Sequence, residues 1–298
     1  MSLRTTFKKY RKQSASLGAF NLSTVSQLKA AVAAACDLQT PLILELSPGE
    51  AGFFGIETLA GIRDSLVEIR AEFCSTVRIG DADLPNIYLN LDHAESINTI
   101  KRALEAGFDM VHFDGSELPF EENIAKSKSV VEIARKYNAL VEGEIDQAGG
   151  HSTVKSEVGK KVMTDPKKAA DFVSKTGVDI LACFFGNLHG VYSKELELDF
   201  NHFQKIKMSI ESACPGRSRR VFFSLHGGSG VRAGDLSKAA GQGIAKMNFN
   251  TELRQAWASS LRESLAKKKG EIVPYKVLPP VIGSVREVVE EKLRLISK

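Results

Sequence analysis

The chain has only four cysteines in 298 residues, Cys36, Cys74, Cys183 and Cys214, and no two form a Cys-x-x-Cys pair. That spacing argues against a cysteine-held zinc site and against a disulfide framework. Cys36 and Cys183 sit in apolar runs and read as plain core thiols. No run of about 20 apolar residues exists to cross a membrane. Residues 1–20 are basic but lack the apolar stretch of about 7–15 residues that a secretory signal requires. A cytoplasmic location is therefore expected. Neither sign of charge dominates, with 40 basic against 36 acidic residues and a net charge of +4. That balance leaves no footprint for nucleic acid or an anionic membrane, so any anionic ligand must be held by a local site. No low-complexity linker, charge block or composition shift marks a domain boundary, and no GxxxxGK[ST] phosphate loop occurs.

What remains is an ordinary globular composition, 43% hydrophobic and 26% charged, arranged with a clear rhythm. Short apolar runs alternate with amphipathic stretches in eight pairs. The runs predict strands at Gly18–Asn21, Pro41–Ser47, Asn86–Asp92, Asp109–Asp114, Ala139–Glu144, Asp179–Phe185, Arg220–Leu225 and Ile244–Asn248. Helices are predicted at Thr24–Leu38, Ile56–Phe73, Ala94–Ala106, Phe120–Tyr137, Pro166–Thr176, Phe200–Ser212, Ala233–Ala240 and Thr251–Lys268. The runs are apolar throughout rather than alternating, as strands covered on both faces are. Strict β/α alternation implies a parallel sheet. Eight units favour a closed (β/α)₈ barrel formed as one domain by residues 1–298, with a doubly wound open sheet as the alternative. The last 30 or so residues add an amphipathic helix for packing or oligomer contact.

In such a barrel the chemistry belongs at the C-terminal strand ends. The predicted strands end in or lead into Asp92-His93, Asp114, Glu142-Gly143-Glu144, Asn187-Leu188-His189-Gly190, His226-Gly227-Gly228-Ser229-Gly230 and Asn248-Phe249-Asn250-Thr251. Three of the six histidines, His93, His189 and His226, fall at these ends. Three imidazoles that leave one position open form the ligand set of a catalytic rather than a structural zinc. His112, inside a strand, and His202, on a helix, read as structural. The glycine-rich turn after His226 lets backbone amides approach an anion, at the place where barrel phosphate sites form. Asp92 is an acid/base candidate, or else a partner that orients an imidazole. Neighbouring strand residues point to opposite sides, so Asp92 and His93 cannot both face inward unless the strand ends there. Glu142 and Glu144 share a face, and each reads as a metal group or as half of an ion pair inside the barrel.

These residues stand in motifs that resemble the class II, zinc-dependent fructose/tagatose-bisphosphate aldolases. The motifs are GAFN (18–21), NLDHAES (90–96), AGFDMVHFDGSELPFEENI (106–124), VEGEI (141–145), TDPKKAADFVSKTGVDILACFFGNLHGVY (164–192), LHGGSG (225–230) and KMNFNTELRQAW (246–257). The resemblance implies a zinc ion on His93, His189 and His226, with Glu144 near an alternative metal position and Asp114 able to bind a second cation. It implies Asp92 as the general acid/base for the hydroxyl at the broken C–C bond. Asn21, Ser47, Gly190, Gly228, Ser229, Asn248 and Thr251 match substrate and phosphate contacts. Asn250, also matched to the substrate contacts, stands where bisphosphate-cleaving members often carry an aspartate or another small residue. A monovalent cation (Na⁺ or K⁺) near the phosphate, a small phosphorylated sugar as substrate, and a homodimer or homotetramer are further implications. Family members carry two consecutive glutamates on the loop after the fifth strand, one of which shuttles the C–H proton. Here His151 follows Gly149-Gly150 and the nearest loop carboxylate is Glu157, so these two are the candidate bases. Two other readings stay open at this level: altered chemistry at the same metal site, or binding of a phosphosugar without catalysis.

Overall fold

The computed structural model describes residues 1–73, 85–146, 163–188, 195–218 and 221–297. The chain opens with α1 (Leu3–Lys12), β1 (Leu17–Asn21), α2 (Val25–Leu38), β2 (Leu42–Leu46), α3 (Pro48–Phe54) and α4 (Ile56–Phe73). Next come β3 (Ile87–Ala94), α5 (Ile97–Glu105), β4 (Met110–Asp114), α6 (Phe120–Ala134, with a 3₁₀ turn to Tyr137) and β5 (Leu140–Glu144). Then follow α7 (Pro166–Thr176), β6 (Ile180–Ala182), α8 (Phe200–Ala213), α9 (Pro215–Ser218), β7 (Phe222–Leu225) and α10 (Ala233–Gly241). The described chain ends with β8 (Ile244–Phe249), α11 (Thr251–Lys267), α12 (Pro274–Val277) and α13 (Pro279–Ile296). The strands pair in parallel and in sequence order, and β8 returns to β1, so the sheet closes into the expected barrel. Among the described residues no helix is long and apolar enough to cross a membrane.

Two apolar regions hold this shell. The larger lies between the strands and the surrounding helices and explains why the strand runs are apolar on their outer face. The smaller fills the lower lumen, where Ala19, Ile43, Met110, Leu140, Ile180 and Phe222 converge. Helix α1, which the strand–helix rhythm did not predict, plugs that end with Leu3, Phe7 and Tyr10; the Phe7 and Phe222 rings lie 5.1 Å apart. Helix α13 packs on α2, α11 and β1, and Ser16 donates its amide to the Ile296 carbonyl at 2.8 Å. The C-terminal extension is thus part of the barrel's coat.

Among the boundaries that differ from the predicted ones, two have plain local reasons. Strand β6 stops at Ala182 rather than Phe185, because Phe184 and Phe185 turn their amides to Thr164 Oγ1 and Asn187 Oδ1, each at 2.9 Å. Helix α5 starts at Ile97 rather than Ala94, where the Ser96 hydroxyl accepts from the Thr99 amide and satisfies a first-turn donor. One thiol reading is corrected as well: Cys36 is disulfide-bonded, whereas Cys183 and Cys214 are free. Spacing along a chain does not reveal which sulfurs meet in space.

Candidate active site

With the lower lumen apolar, the upper lumen is almost wholly polar. Strand side chains alternate, so the residue two before each predicted site residue faces the same way. That rule supplies a second layer beneath the expected one: Glu45, Asn90, His112, Glu142, Ser224 and Lys246, all fully buried. Lys246 Nζ lies 2.7 Å from Glu45 and 2.8 Å from Glu142, an ion-paired floor. Glu45 is pushed up to about 8 by burial and by the Asp92 charge, against the pull of Lys246. Glu142 thus follows the ion-pair reading. Glu144, 1% exposed, reaches the imidazoles instead, 3.8 Å from His93 and 3.4 Å from His112.

Asp92 and His93 do both face inward, although β3 continues to Ala94. The strand slips register between Leu91 and Ala94, and His93 takes a left-handed φ of 49°. Such irregularities re-aim side chains beside active sites. The strand-alternation rule failed here because it assumes regular backbone. Asp92 is then held by Asn21 Nδ2 and Asn248 Nδ2, each at 3.2 Å. Asn21 also donates to Glu50 of α3, which ties down Arg254 and the Ser47 amide at the head of that helix. Glu50 escaped the sequence reading because no strand signal reached it.

His93 and His226 meet across the lumen with His93 Nε2 and His226 Nδ1 3.0 Å apart. Each ring turns its other nitrogen to a carboxylate: His93 Nδ1 to Asp114 at 2.7 Å, His226 Nε2 to Glu142 at 2.6 Å. A carboxylate behind an imidazole fixes the tautomer that leaves the facing nitrogen free for a metal. Bonds of about 2.0–2.1 Å at tetrahedral angles separate ligand atoms by about 3.3–3.4 Å, so the pair needs little movement to hold an ion. The donor set therefore fits a zinc-type cation. Among the described residues two groups lie close enough to hold one: Asp92, His93, His112 and His226, and also His93, Asp114 and Glu144. His189, His151, Glu157 and Gly190 lie outside the described residues.

Burial disfavours a proton on His93, but the charges of Asp92 and Glu144 and the Asp114 hydrogen bond raise it to about 9. A metal must displace that proton, so affinity should fall as acid is added below about pH 9. We expect roughly ten-fold weaker zinc binding per pH unit for each proton released, measured by competition with a chelator at about pH 6.5 and about pH 7.5. Equal affinities at the two values, after correction for the chelator, would contradict this proton count.

The glycine-rich turn lies beside this pair. A Cβ on Gly228 would lie 2.8 Å from the Phe249 ring and 2.9 Å from the Asn248 carbonyl, so only glycine fits. Its amide donates to the Asn248 carbonyl at 3.0 Å. Ser229 Oγ, Asn248 Oδ1 and Asn250 Oδ1 are buried without hydrogen-bond partners, and Thr251 opens α11 immediately after them. Unpaired buried polar atoms are costly, and a polar ligand at this strand end would satisfy them.

The profile of the family described as "Fructose-bisphosphate aldolase class-II" matches residues 1–298. A protein of Bacillus subtilis named a probable fructose-bisphosphate aldolase is 34% identical over 279 residues, 93% of this chain and 90% of that one. Among solved structures, the YdjI aldolase of Escherichia coli K12 is 26% identical with a TM-score of 0.78, covering 99% of this chain and 96% of that one. The fructose-bisphosphate aldolase (Fba) of Campylobacter jejuni, 20% identical with a TM-score of 0.79, covers 100% and 96% and shares the fold alone as evidence.

Proposed function

The chain belongs to the class II fructose-bisphosphate aldolase family, whose members are C–C lyases, and on that premise we propose that it cleaves fructose 1,6-bisphosphate reversibly. The products are dihydroxyacetone phosphate and an aldehyde, and the reaction depends on zinc. The observation that carries this reading is the facing pair His93 Nε2 and His226 Nδ1, each backed by a carboxylate, beside Asp92. His189 completes the ligand set, with Glu144 and Asp114 serving alternative cation positions. A zinc ion held there would supply Lewis-acid polarisation of the substrate carbonyl.

The remaining work falls to side chains. Asp92 takes or returns the proton of the hydroxyl at the scissile bond, held for that role by Asn21 and Asn248. His151 or Glu157, on the segment after β5, serves as the base at the C–H bond. Ser229, Asn250, Thr251 and Gly190 bind the phosphate, and Ser47 lines the substrate side. The Asn248 and Asn250 carbonyl oxygens suit a hard monovalent cation beside it, Na⁺ or K⁺, since such ions take oxygen ligands. The whole chain acts as one domain in a cytoplasmic homodimer or homotetramer, without nucleic-acid or membrane partners.

Metal analysis after dialysis, paired with a cleavage assay on fructose and tagatose bisphosphates, tests the reading. Zinc without cleavage of either sugar would favour altered chemistry on the same barrel. Activity should vanish with EDTA and survive borohydride added with substrate, since no lysine imine forms. Ser229→Ala should raise KM several-fold with little change in kcat, because a ground-state phosphate contact acts on binding. A kcat loss at unchanged KM would remove Ser229 from the phosphate site.

A further inference from the structure

His112 is fully buried in the barrel lumen, two residues before Asp114 and on the same side of β4. It lies outside the ligand set given above, yet its ring touches both described members of that set. The centroids of His93 and His112 are 4.6 Å apart and those of His112 and His226 4.9 Å apart, both pairs edge to face. Its closest polar contact is to backbone: the His93 amide donates to His112 Nδ1 at 3.1 Å. That amide belongs to the residue with left-handed φ, where β3 slips against β4 and the regular ladder is interrupted. A buried amide released from its ladder must find another acceptor, and the imidazole nitrogen supplies one.

An accepted hydrogen bond at Nδ1 dictates the rest of the ring. The proton of the neutral imidazole must then sit on Nε2, which faces Glu144 Oε2 at 3.4 Å. Neither atom has a well-formed hydrogen bond, so Nε2–H and the carboxylate face each other with a short gap to close. A ring engaged in this way at Nδ1 and protonated at Nε2 has no lone pair left for a metal. We infer that His112 is a positioning residue: it pins the His93 amide at the strand slip and presents an N–H to Glu144, so that Asp92 and His93 both face the ion. The inference rests on the metal reading proposed above.

The tautomer is read in the zinc-loaded protein. Ring ¹⁵N spectra, with the His112 signals identified by their loss in His112→Asn, should show bare Nδ1 and protonated Nε2. A proton on Nδ1, or a metal-shifted nitrogen on this ring, overturns the inference.

Substitutions separate the two contacts. Asparagine places a carbonyl near the Nδ1 position, glutamine an amide near Nε2, and methionine fills the space with neither. His112→Met and His112→Gln should bind cobalt(II) about 10–100-fold more weakly, as loss of a group that orients a ligand costs, with a changed cobalt absorption band. His112→Asn should restore both toward the parent. Thermal unfolding of all three guards against a purely structural effect, since general loosening would not be rescued by asparagine alone. Parent-like affinity and spectrum in His112→Met overturn the inference while leaving the metal site standing. A parent that takes up no cobalt overturns both.

Discussion

His226→Ala is expected to lose most bound zinc and nearly all aldol cleavage while remaining folded. His226 is fully buried, its Nε2 is committed to Glu142, and its Nδ1 faces His93, where the proposed ion would bind. Removing a group that merely orients a ligand costs about 10–100-fold in metal affinity, and removing the ligand itself should cost more. The fold should survive because Glu142 keeps Lys246 at 2.8 Å and the Ser224 hydroxyl, so no carboxylate is stranded. The apolar cores below and outside the lumen do not include this residue. His93→Ala should behave alike and also free Asp114. Stoichiometric zinc in both dialysed variants would show that these two imidazoles are not the ligands.

Asp92→Ala should act on the other half of the reaction and lower kcat by about 10²–10⁴ with a small change in KM, the usual contribution of a positioned acid/base. The carboxylate is 3% exposed, so burial works against its charge, but the positive neighbours His93 and Lys246 hold it well below the ordinary carboxylate range. Two amide donors keep its orientation. Asp92→Asn preserves the shape and removes the base, so a kcat loss matching that of the alanine variant assigns the effect to proton transfer. If either variant raised KM at unchanged kcat, Asp92 would be a substrate contact and another group would handle the hydroxyl proton.

The two variants probe features that were unequally legible. His226 sits at the end of a short apolar run before a glycine-rich turn, so its place at the barrel mouth follows from strand periodicity alone. His112 was read as structural because it lies inside a run rather than at an end. Yet the parity that put Asp114 in the lumen puts His112 there too, and the same step of two residues leads from His226 to Ser224 and from Asn248 to Lys246. The inward turn of both Asp92 and His93 was not legible, because nothing in Asn90-Leu91-Asp92-His93 announces a slipped register. The disulfide at Cys36 was equally hidden, since pairing of sulfurs is decided by packing.

The alternation of apolar runs and amphipathic stretches was enough to specify eight strands, a parallel sheet for which closure was favoured over an open doubly wound form, and the end at which polar groups gather. Those properties follow from local periodicity and from the need to bury two faces of every strand. Only the folded barrel decided which nitrogen of each imidazole turns to the facing ring, which carboxylate backs the other nitrogen and which lysine neutralises the floor. Those choices depend on distances of about 3 Å between residues as far apart in sequence as His93 and His226 or Glu142 and Lys246, and on a left-handed turn at His93 that strand periodicity does not encode.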